Sequence, residues 1–185
     1  MIEIEITDEM RKSAFDKSME MGQLRNSITQ GKHNEYGFLG EAMVAKYLNC
    51  DTYNTYEYDI ILQDGTRLEV KSKPTPHKPP DWYEVNLSAL NPNQRCDYYV
   101  FCRIMKDRSK GWIVGYDSRE DYLKTAKLYK KGEKFSRSEY IVRSACYIKE
   151  IKNLQQPKKL LDIASEANYA PPQVSSKSST ETKRI

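Results

Sequence analysis

The chain has 185 residues, 30% of them charged and 38% hydrophobic, and its formal net charge is +4. This length allows one domain with a real hydrophobic core and excludes two separate enzymes joined by a linker. There is no run of about 18 apolar residues, and the start is acidic rather than a basic patch before an apolar stretch. The sequence therefore favours a cytoplasmic protein with neither a membrane span nor a secretory signal.

Four cysteines are scattered along the chain, and no two of them have the close spacing of zinc ligands. They are Cys50, Cys96, Cys102 and Cys146. Only His33 and His77 could join them, so a structural zinc site is not predicted. In a reducing compartment such cysteines are usually small buried hydrophobic residues, and we expect them to carry no chemistry.

Two helices are predicted in the first fifty residues. Residues 8–30 form a polar region in which Met10, Ala14 and Met19 have roughly helical spacing, which is typical of a helix on the outside of a domain. After several glycines, the segment GEAMVAKYLN predicts a helix of about three turns that ends before Asp51.

A β-hairpin is predicted next, from the apolar runs YDIIL and RLEVKS with residues 63–65 between them. The following segment, KPTPHKPPDW, is predicted to be a loop because its prolines cannot continue a central strand. Strands are then predicted at YYVFCRI, WIVGY and YIVRSACYIKEI. A helix is predicted at SREDYLKTAKLYKKG, ending near Gly132.

These elements alternate along one domain, which we place at residues 1–154 and in the α/β or α+β class. Residues 155–185 are poor in apolar side chains and end in APPQVSSKSSTETKRI, so we predict a flexible C-terminal tail. One domain of this size leaves one active site to find.

Glu41 is the first candidate site residue. Phe38, Val44 and Ala45 lie three or four positions away on the predicted helix, so the carboxylate falls within the apolar stripe. A buried carboxylate needs a metal ion, a basic side chain or a proton held with a raised pKa. Taken alone, however, the pattern favours a glutamate at the rim of an amphipathic helix.

The strand RLEVKS places Arg67, Glu69 and Lys71 on one face, because side chains alternate along a strand. Such a charged face is usually exposed to solvent. A functional interpretation needs a further acidic residue on the same face, and Asp59 of the preceding strand is the candidate.

The length of the hairpin loop decides whether Asp59 faces Glu69. A two-residue Asp-Gly turn pairs Asp59 with Val70 and points the two carboxylates to opposite faces. A three-residue loop over 63–65, closed by a left-handed glycine, pairs Asp59 with Glu69. The sequence permits both loops, and we predict the second.

In that register, Glu41, Asp59 and Glu69 supply hard oxygen ligands for Mg²⁺, with the backbone carbonyl of Val70 as a further ligand. Such an ion polarises a phosphoryl oxygen and activates water for attack on a phosphodiester. Lys71 would hold or help to deprotonate that water and stabilise the charge that develops.

As a set, GFLGEAMVAKYL, the Asp in EYDIIL and the ExK element in LEVKS resemble the PD-(D/E)xK nuclease superfamily. The resemblance extends from about Asn34 to Ile104, and the proline that precedes the Asp in the family pattern is Tyr58 here. It implies a restriction-endonuclease-like mixed sheet flanked by helices. It also implies magnesium or manganese bound by Glu41, Asp59 and Glu69, with Lys71 as the catalytic lysine.

Further nucleic-acid contacts are predicted around this site. Lys73 and Lys78 follow Lys71 in a loop where phosphate contacts would be natural, although a solvated loop is an equal alternative. Some family members carry a glutamine and a tyrosine four residues apart, as Gln94 and Tyr98 are here. The position of Gln94 at the entry to a strand favours a structural role.

We therefore expect a metal-dependent endonuclease acting on DNA, either restriction-like or specific for branched structures. One site cuts one strand, so a homodimer is expected for symmetrical cleavage. If the protein is phage-encoded, it would act in the host cytoplasm. The net positive charge permits this interpretation without demonstrating it.

Two alternatives remain open. The first is an inactive nucleic-acid-binding or protein-interaction module on the same fold, against which the intact set of carboxylates and lysine argues. The second is an unrelated fold in which Glu69 and Lys71 lie on a surface strand. Opposite faces for Asp59 and Glu69 would support the second alternative.

Overall fold

A computed structural model of the chain describes residues 1–21, 34–53, 57–89, 95–135 and 141–169. The strands are β1 (Ile2–Glu5), β2 (Ile60–Ile61), β3 (Arg67–Thr75), β4 (Glu84–Ser88), β5 (Tyr98–Met105), β6 (Lys110–Ser118), β7 (Lys127–Tyr129) and β8 (Cys146–Glu150). The α-helices are α1 (Asp8–Met21), α2 (Asn34–Leu48), α3 (Arg119–Thr125) and α4 (Leu160–Tyr169). Short 3₁₀ helices lie at Ile151–Asn153 and Pro157–Lys159.

The strands form two sheets. The larger has five strands in the order β1-β6-β5-β3-β2, in which β3 and β5 are parallel and the other neighbours are antiparallel. The smaller is antiparallel, in the order β4-β8-β7. The chain is therefore a mixed α+β protein, as predicted at this level.

The large sheet is covered differently on its two faces. One face carries Leu68, Val100 and Ile104 against a core that includes residues of α1, α2 and α4. The other face carries Phe101 and Trp112 against residues of the smaller sheet and α3. The large sheet is thus buried between helices and a second sheet. None of the helices in the described ranges combines the length and the hydrophobicity needed to cross a membrane.

Helix α2 lies very close to β3. A Cβ atom on Gly40 would lie 1.7 Å from the Oγ atom of Ser72 and 3.4 Å from a methyl group of Val70, so only glycine fits at this crossing. Gly37, one turn earlier, has open space around it. The helix ends at Leu48 because Asn49 adopts a left-handed conformation with φ of 53°.

The prediction that the chain leaves the strand after Ser72 is wrong, because β3 continues through Pro74 to Thr75. The N–H of Val70 points away from β5, towards Asp59. Since directions alternate, the nitrogen of Pro74 points to the same side, where the two-residue β2 does not reach. Pro74 therefore costs the sheet no hydrogen bond with β5.

Three other element predictions need correction. The helix predicted to run to Gly132 stops at Thr125, because the chain then pairs with β8 as β7. Strands β1 and β4 were not predicted, although IEIE alternates in burial as a strand should. The last predicted strand is reduced to β8, with Ile141 in an isolated bridge to Lys134.

The domain boundary after residue 154 is placed too early. Leu160 of α4 is fully buried, and Ala164 is 5% exposed, both in the core beneath the large sheet. Tyr116 also exchanges backbone hydrogen bonds with Gln155. Residues 155–169 are therefore part of the domain, and residues 170–185 lie outside the described part of the chain.

The close approach of α2 to β3 makes a stability prediction. Gly40→Ala should lower the free energy of unfolding by about 1–3 kcal/mol, because the added methyl group forces α2 away from Ser72. Gly37→Ala is the matched control. It should be neutral or stabilising by up to about 1 kcal/mol, since alanine favours helix and meets nothing there. Equal stability of the two variants in denaturant unfolding would contradict the packing argument.

Candidate active site

The β2–β3 hairpin has the predicted three-residue loop. Ile60 pairs with Leu68 and Ile61 with Arg67, and the N–H of Leu62 donates to the carbonyl of Thr66 at 2.8 Å. The predicted pairing of Asp59 with Glu69 is not present, because the N–H of Asp59 donates at 2.9 Å to the carbonyl of Leu68, the residue already opposite Ile60. Asp59 and Ile60 therefore both lie across from Leu68, as in a β-bulge. Gly65 adopts φ of 91°, a left-handed conformation that glycine tolerates, which confirms the predicted form of the loop.

The side chain of Asp59 extends the short strand β2. Its Oδ2 atom accepts a hydrogen bond of 2.7 Å from the backbone N–H of Val70. In a strand, the carbonyl of a residue points to the same side as its N–H, so the Val70 carbonyl faces the same edge as Asp59. The carboxylate and the backbone carbonyl predicted as ligands therefore lie at one edge of β3.

Glu69 and Lys71 form an ion pair on the same face of β3. The Nζ atom of Lys71 lies 2.5 Å from Oε1 of Glu69. Glu69 is only 7% exposed, whereas the side chain of Lys71 is 33% exposed. The carboxylate of Glu69 is therefore buried, whereas the lysine side chain that contacts it is partly exposed to solvent.

Glu41 reaches this edge from α2, flanked by the buried residues Leu39 and Met43. Burial raises the pKa of Glu41 to about 7, with Glu69 adding to the rise and Lys17 and Lys71 opposing it. A purely solvated glutamate at the rim of an amphipathic helix does not account for this shift.

Lys17 of α1 is a neighbour of the site that the sequence did not reveal. Its ammonium group donates to Thr52 at 3.3 Å and lies 5.9 Å from the ring centroid of Phe38. Among the charges acting on Glu41, that of Lys17 is the strongest. It reaches Glu41 through the packing of α1 on α2, for which the local sequence carries no signal.

The pKa of Asp59 is raised further than that of Glu41. Burial raises its pKa to about 8, and repulsion from Glu69 and Glu41 adds to the rise. The hydrogen bond from Val70 and the charge of Lys71 act in the opposite direction. Three carboxylates therefore share one partly buried region with only two lysines, so negative charge exceeds positive charge there when all five groups are ionised.

A bound divalent cation would balance this excess of negative charge. Among the described residues, no three histidine, cysteine, aspartate or glutamate side chains are close enough together to share one ion. The donor chemistry nevertheless fits a hard cation, because carboxylate oxygens and the Val70 carbonyl are the ligands that Mg²⁺ and Mn²⁺ prefer. Asp59 and the Val70 carbonyl lie at one edge of β3, and Glu69 and Glu41 would have to move closer to complete the ligand set.

The start of β3 is anchored by Arg67. Its guanidinium group forms two hydrogen bonds with the carboxylate of Asp97, at 2.9 and 3.1 Å, and its backbone N–H donates to the same carboxylate. The N–H of Asp97 in turn donates to the carbonyl of Arg67. This two-point contact aligns β3 with the start of β5, so Arg67 is structural although it shares a face with Glu69.

The predicted nucleic-acid contacts are dispersed. Lys73 lies on β3, two residues beyond Lys71 on the same face. The charge of Lys78 lowers the pKa of the Met1 amino group and of Glu3 in β1, the edge strand at the other side of the sheet from β2. His77 is exposed and contacts Tyr83. Gln94 lies outside the described residues.

The cysteines are free thiols, three of them buried and Cys50 half-buried. Cys96 lies near enough to Glu69 and Lys71 for their charges to act on it, although burial is the main reason that its pKa is raised, to about 11. A thiol with a raised pKa is a poor nucleophile at neutral pH. Cys96 therefore serves as a small buried side chain beside the site.

The raised pKa values predict how stability depends on pH. The folded pKa values of Glu41 and Asp59, about 7 and about 8, exceed the ordinary values of 4.5 and 3.8. Between these limits the folded protein binds more protons than the unfolded chain, so stability should fall as pH rises from about 4 to about 8. Melting temperatures measured in chelator across this range test the expectation.

Asp59→Asn isolates the cause of this pH dependence. Asparagine keeps the acceptor for the Val70 N–H but removes the charge, so the slope should become shallower and the variant should be more stable than wild type near pH 8. The exposed Asp81→Asn is the control and should retain the wild-type slope. A wild-type slope in Asp59→Asn would show that the buried carboxylates do not cause it.

Comparison with known proteins assigns no family to the chain. No family model matches it, and no curated protein matches it in sequence. The functional expectation therefore depends on the four residues whose arrangement has been described: Glu41, Asp59, Glu69 and Lys71. It is carried forward as a proposal.

Proposed function

We propose that the protein is a metal-dependent nuclease that hydrolyses phosphodiester bonds of DNA. The observation that carries the proposal is the position of Asp59 at the edge of β3, where its carboxylate accepts a hydrogen bond from the N–H of Val70 and lies near enough to Glu69 for the two charges to repel each other. Glu41 approaches the same edge from α2, and Lys71 contacts Glu69.

Each residue has a distinct role in the proposal. Asp59, Glu69 and Glu41 would hold Mg²⁺ or Mn²⁺, which when bound polarises the phosphoryl oxygen and lowers the pKa of water. Lys71 is one third exposed, so its ammonium group can meet the substrate, orient the attacking water and stabilise negative charge on the phosphate. Lys17 limits the repulsion between Glu41 and Glu69.

The proposal includes a restriction-endonuclease-like core formed by α2, β2, β3, β5 and β6. What supports it is the order of elements: a helix that carries the glutamate, a hairpin that carries the Asp and ExK elements, and two further strands in the same sheet. A homodimer remains the expected form for cutting both strands of a duplex, since each chain has one site.

Metal binding is expected to stabilise the protein in a pH-dependent way. Mn²⁺ should raise the melting temperature more near pH 8 than near pH 6, because protons and the ion compete for the same carboxylates. Asp59→Asn should lose most of this stabilisation, whereas Asp81→Asn should keep it. Equal stabilisation of wild type and Asp59→Asn would place the ion elsewhere.

Cleavage assays test the activity itself. Wild-type protein should cut at least one of supercoiled, linear, branched and single-stranded DNA in Mg²⁺ or Mn²⁺ and none in chelator. Lys71→Ala should reduce the rate by about 10²–10⁴-fold, because it removes the cation beside the reacting phosphate. Lys46→Ala, an exposed change on α2, is the control.

Two outcomes would overturn the proposal. If Lys71→Ala cuts as fast as wild type, the activity does not arise at this site. If every substrate survives high concentrations of wild-type protein in Mn²⁺ while DNA binding persists, the protein is a binding module on this fold. In that case the charged edge of β3 has kept its residues without catalysis.

A further inference from the structure

A small cavity lies between the large sheet and β4, next to the candidate active site. Its volume is about 140 Å³, and Lys71, Lys73 and Arg103 line it together with Phe101 and residues 85–86 of β4. None of the described residues that line it is acidic. A cavity of roughly this size holds one benzene-sized ligand in other proteins, so it has room for a phosphate group and not for a whole nucleoside.

Two of the lining cations are held next to each other. Lys73 and Arg103 are direct neighbours in the parallel pairing of β3 with β5, so their side chains leave the sheet on the same face. Arg103 is anchored by a hydrogen bond from its guanidinium group to the backbone carbonyl of Glu84. Within the described part of the chain, no hydrogen bond or ion pair involves the ammonium group of Lys73.

The charges of the side chains around the cavity favour an anionic ligand. Lys71 is paired with Glu69, and the carboxylate of Glu84 is the acidic group whose charge acts on both Lys73 and Arg103. The two cations and one anion leave a net charge of about +1 at the cavity. A phosphodiester carries one negative charge and would complete the balance.

We propose that this cavity is a phosphate subsite, in which Lys73 and Arg103 bind a backbone phosphate of the nucleic acid adjacent to the one that is cleaved. The inference rests on the proposed function, because Lys71 lines both the cavity and the active site. Residues two apart on a strand are roughly 7 Å from each other, so Lys73 meets the substrate one step along β3 from Lys71.

Binding to a labelled DNA duplex in chelator tests the subsite without cleavage. Lys73→Gln should weaken binding by about tenfold and reduce the slope of log affinity against log salt by about 0.9, the value for one lost phosphate contact. Lys73→Arg should restore both values. Lys124→Gln, an equal loss of charge at an exposed position of α3, is the control and should leave the slope unchanged.

Inorganic phosphate distinguishes a pocket from a diffuse basic surface. Phosphate should raise the melting temperature of wild-type protein and of Lys124→Gln in chelator, and it should have little effect on Lys73→Gln. Sodium chloride at the same ionic strength is the comparison, since screening alone acts on all three proteins alike.

The outcomes separate this inference from the proposed function. A wild-type salt slope in Lys73→Gln, with metal-dependent cleavage intact, overturns the subsite and leaves the nuclease proposal standing. A reduced slope in Lys73→Gln, with no cleavage by wild type in any metal, supports the phosphate subsite and overturns the nuclease. Failure of wild type to bind DNA or phosphate overturns the subsite.

Discussion

The candidate site depends on the loop over residues 63–65 that joins β2 to β3. The carboxylate of Asp64 accepts hydrogen bonds from both the N–H and the hydroxyl of Thr66, and Gly65 supplies the left-handed turn. A loop one residue shorter would shift Asp59 by one position along β3, away from the N–H of Val70 to which its carboxylate is bonded. Loop chemistry at a distance from the charged residues thus determines whether they meet at all.

The site lies where a tightly packed region meets an uncovered strand edge. Gly40 brings α2 against β3, and this closeness carries Glu41 to a place where burial and the other carboxylates oppose its ionisation. Within the described residues, neither Glu41 nor Asp59 forms an ion pair, so only Glu69 has a direct cationic partner. Folding alone gains nothing from such repulsion, which is the reason to regard the cluster as functional.

The sequence predicted the parts of this arrangement that local rules control. Alternation put Glu69 and Lys71 on one face. The turn residues allowed two hairpin loops, of which the structure has the three-residue loop. The errors arose where tertiary pairing decides. Pro74 stays in β3 because β2 ends before reaching it and no other described strand pairs with that edge of β3, and the chain after Thr125 becomes a strand because it pairs with β8. Leu160 joins the core although the composition around it is polar, since a short amphipathic helix needs only a few apolar positions.

Strand β3 connects the fold to the proposed chemistry through its two faces. Leu68 and Val70 face the helices and contribute to the core, which holds the strand in place. On the other face, Arg67 is fixed by Asp97, and the next alternate positions are Glu69 and Lys71, followed by Lys73 in front of the cavity. At intervals of roughly 7 Å, this face carries an arginine paired with Asp97, then the carboxylate of Glu69, and then the ammonium groups of Lys71 and Lys73. A polyanion that follows β3 would therefore meet the carboxylates at one point and the cations beyond it.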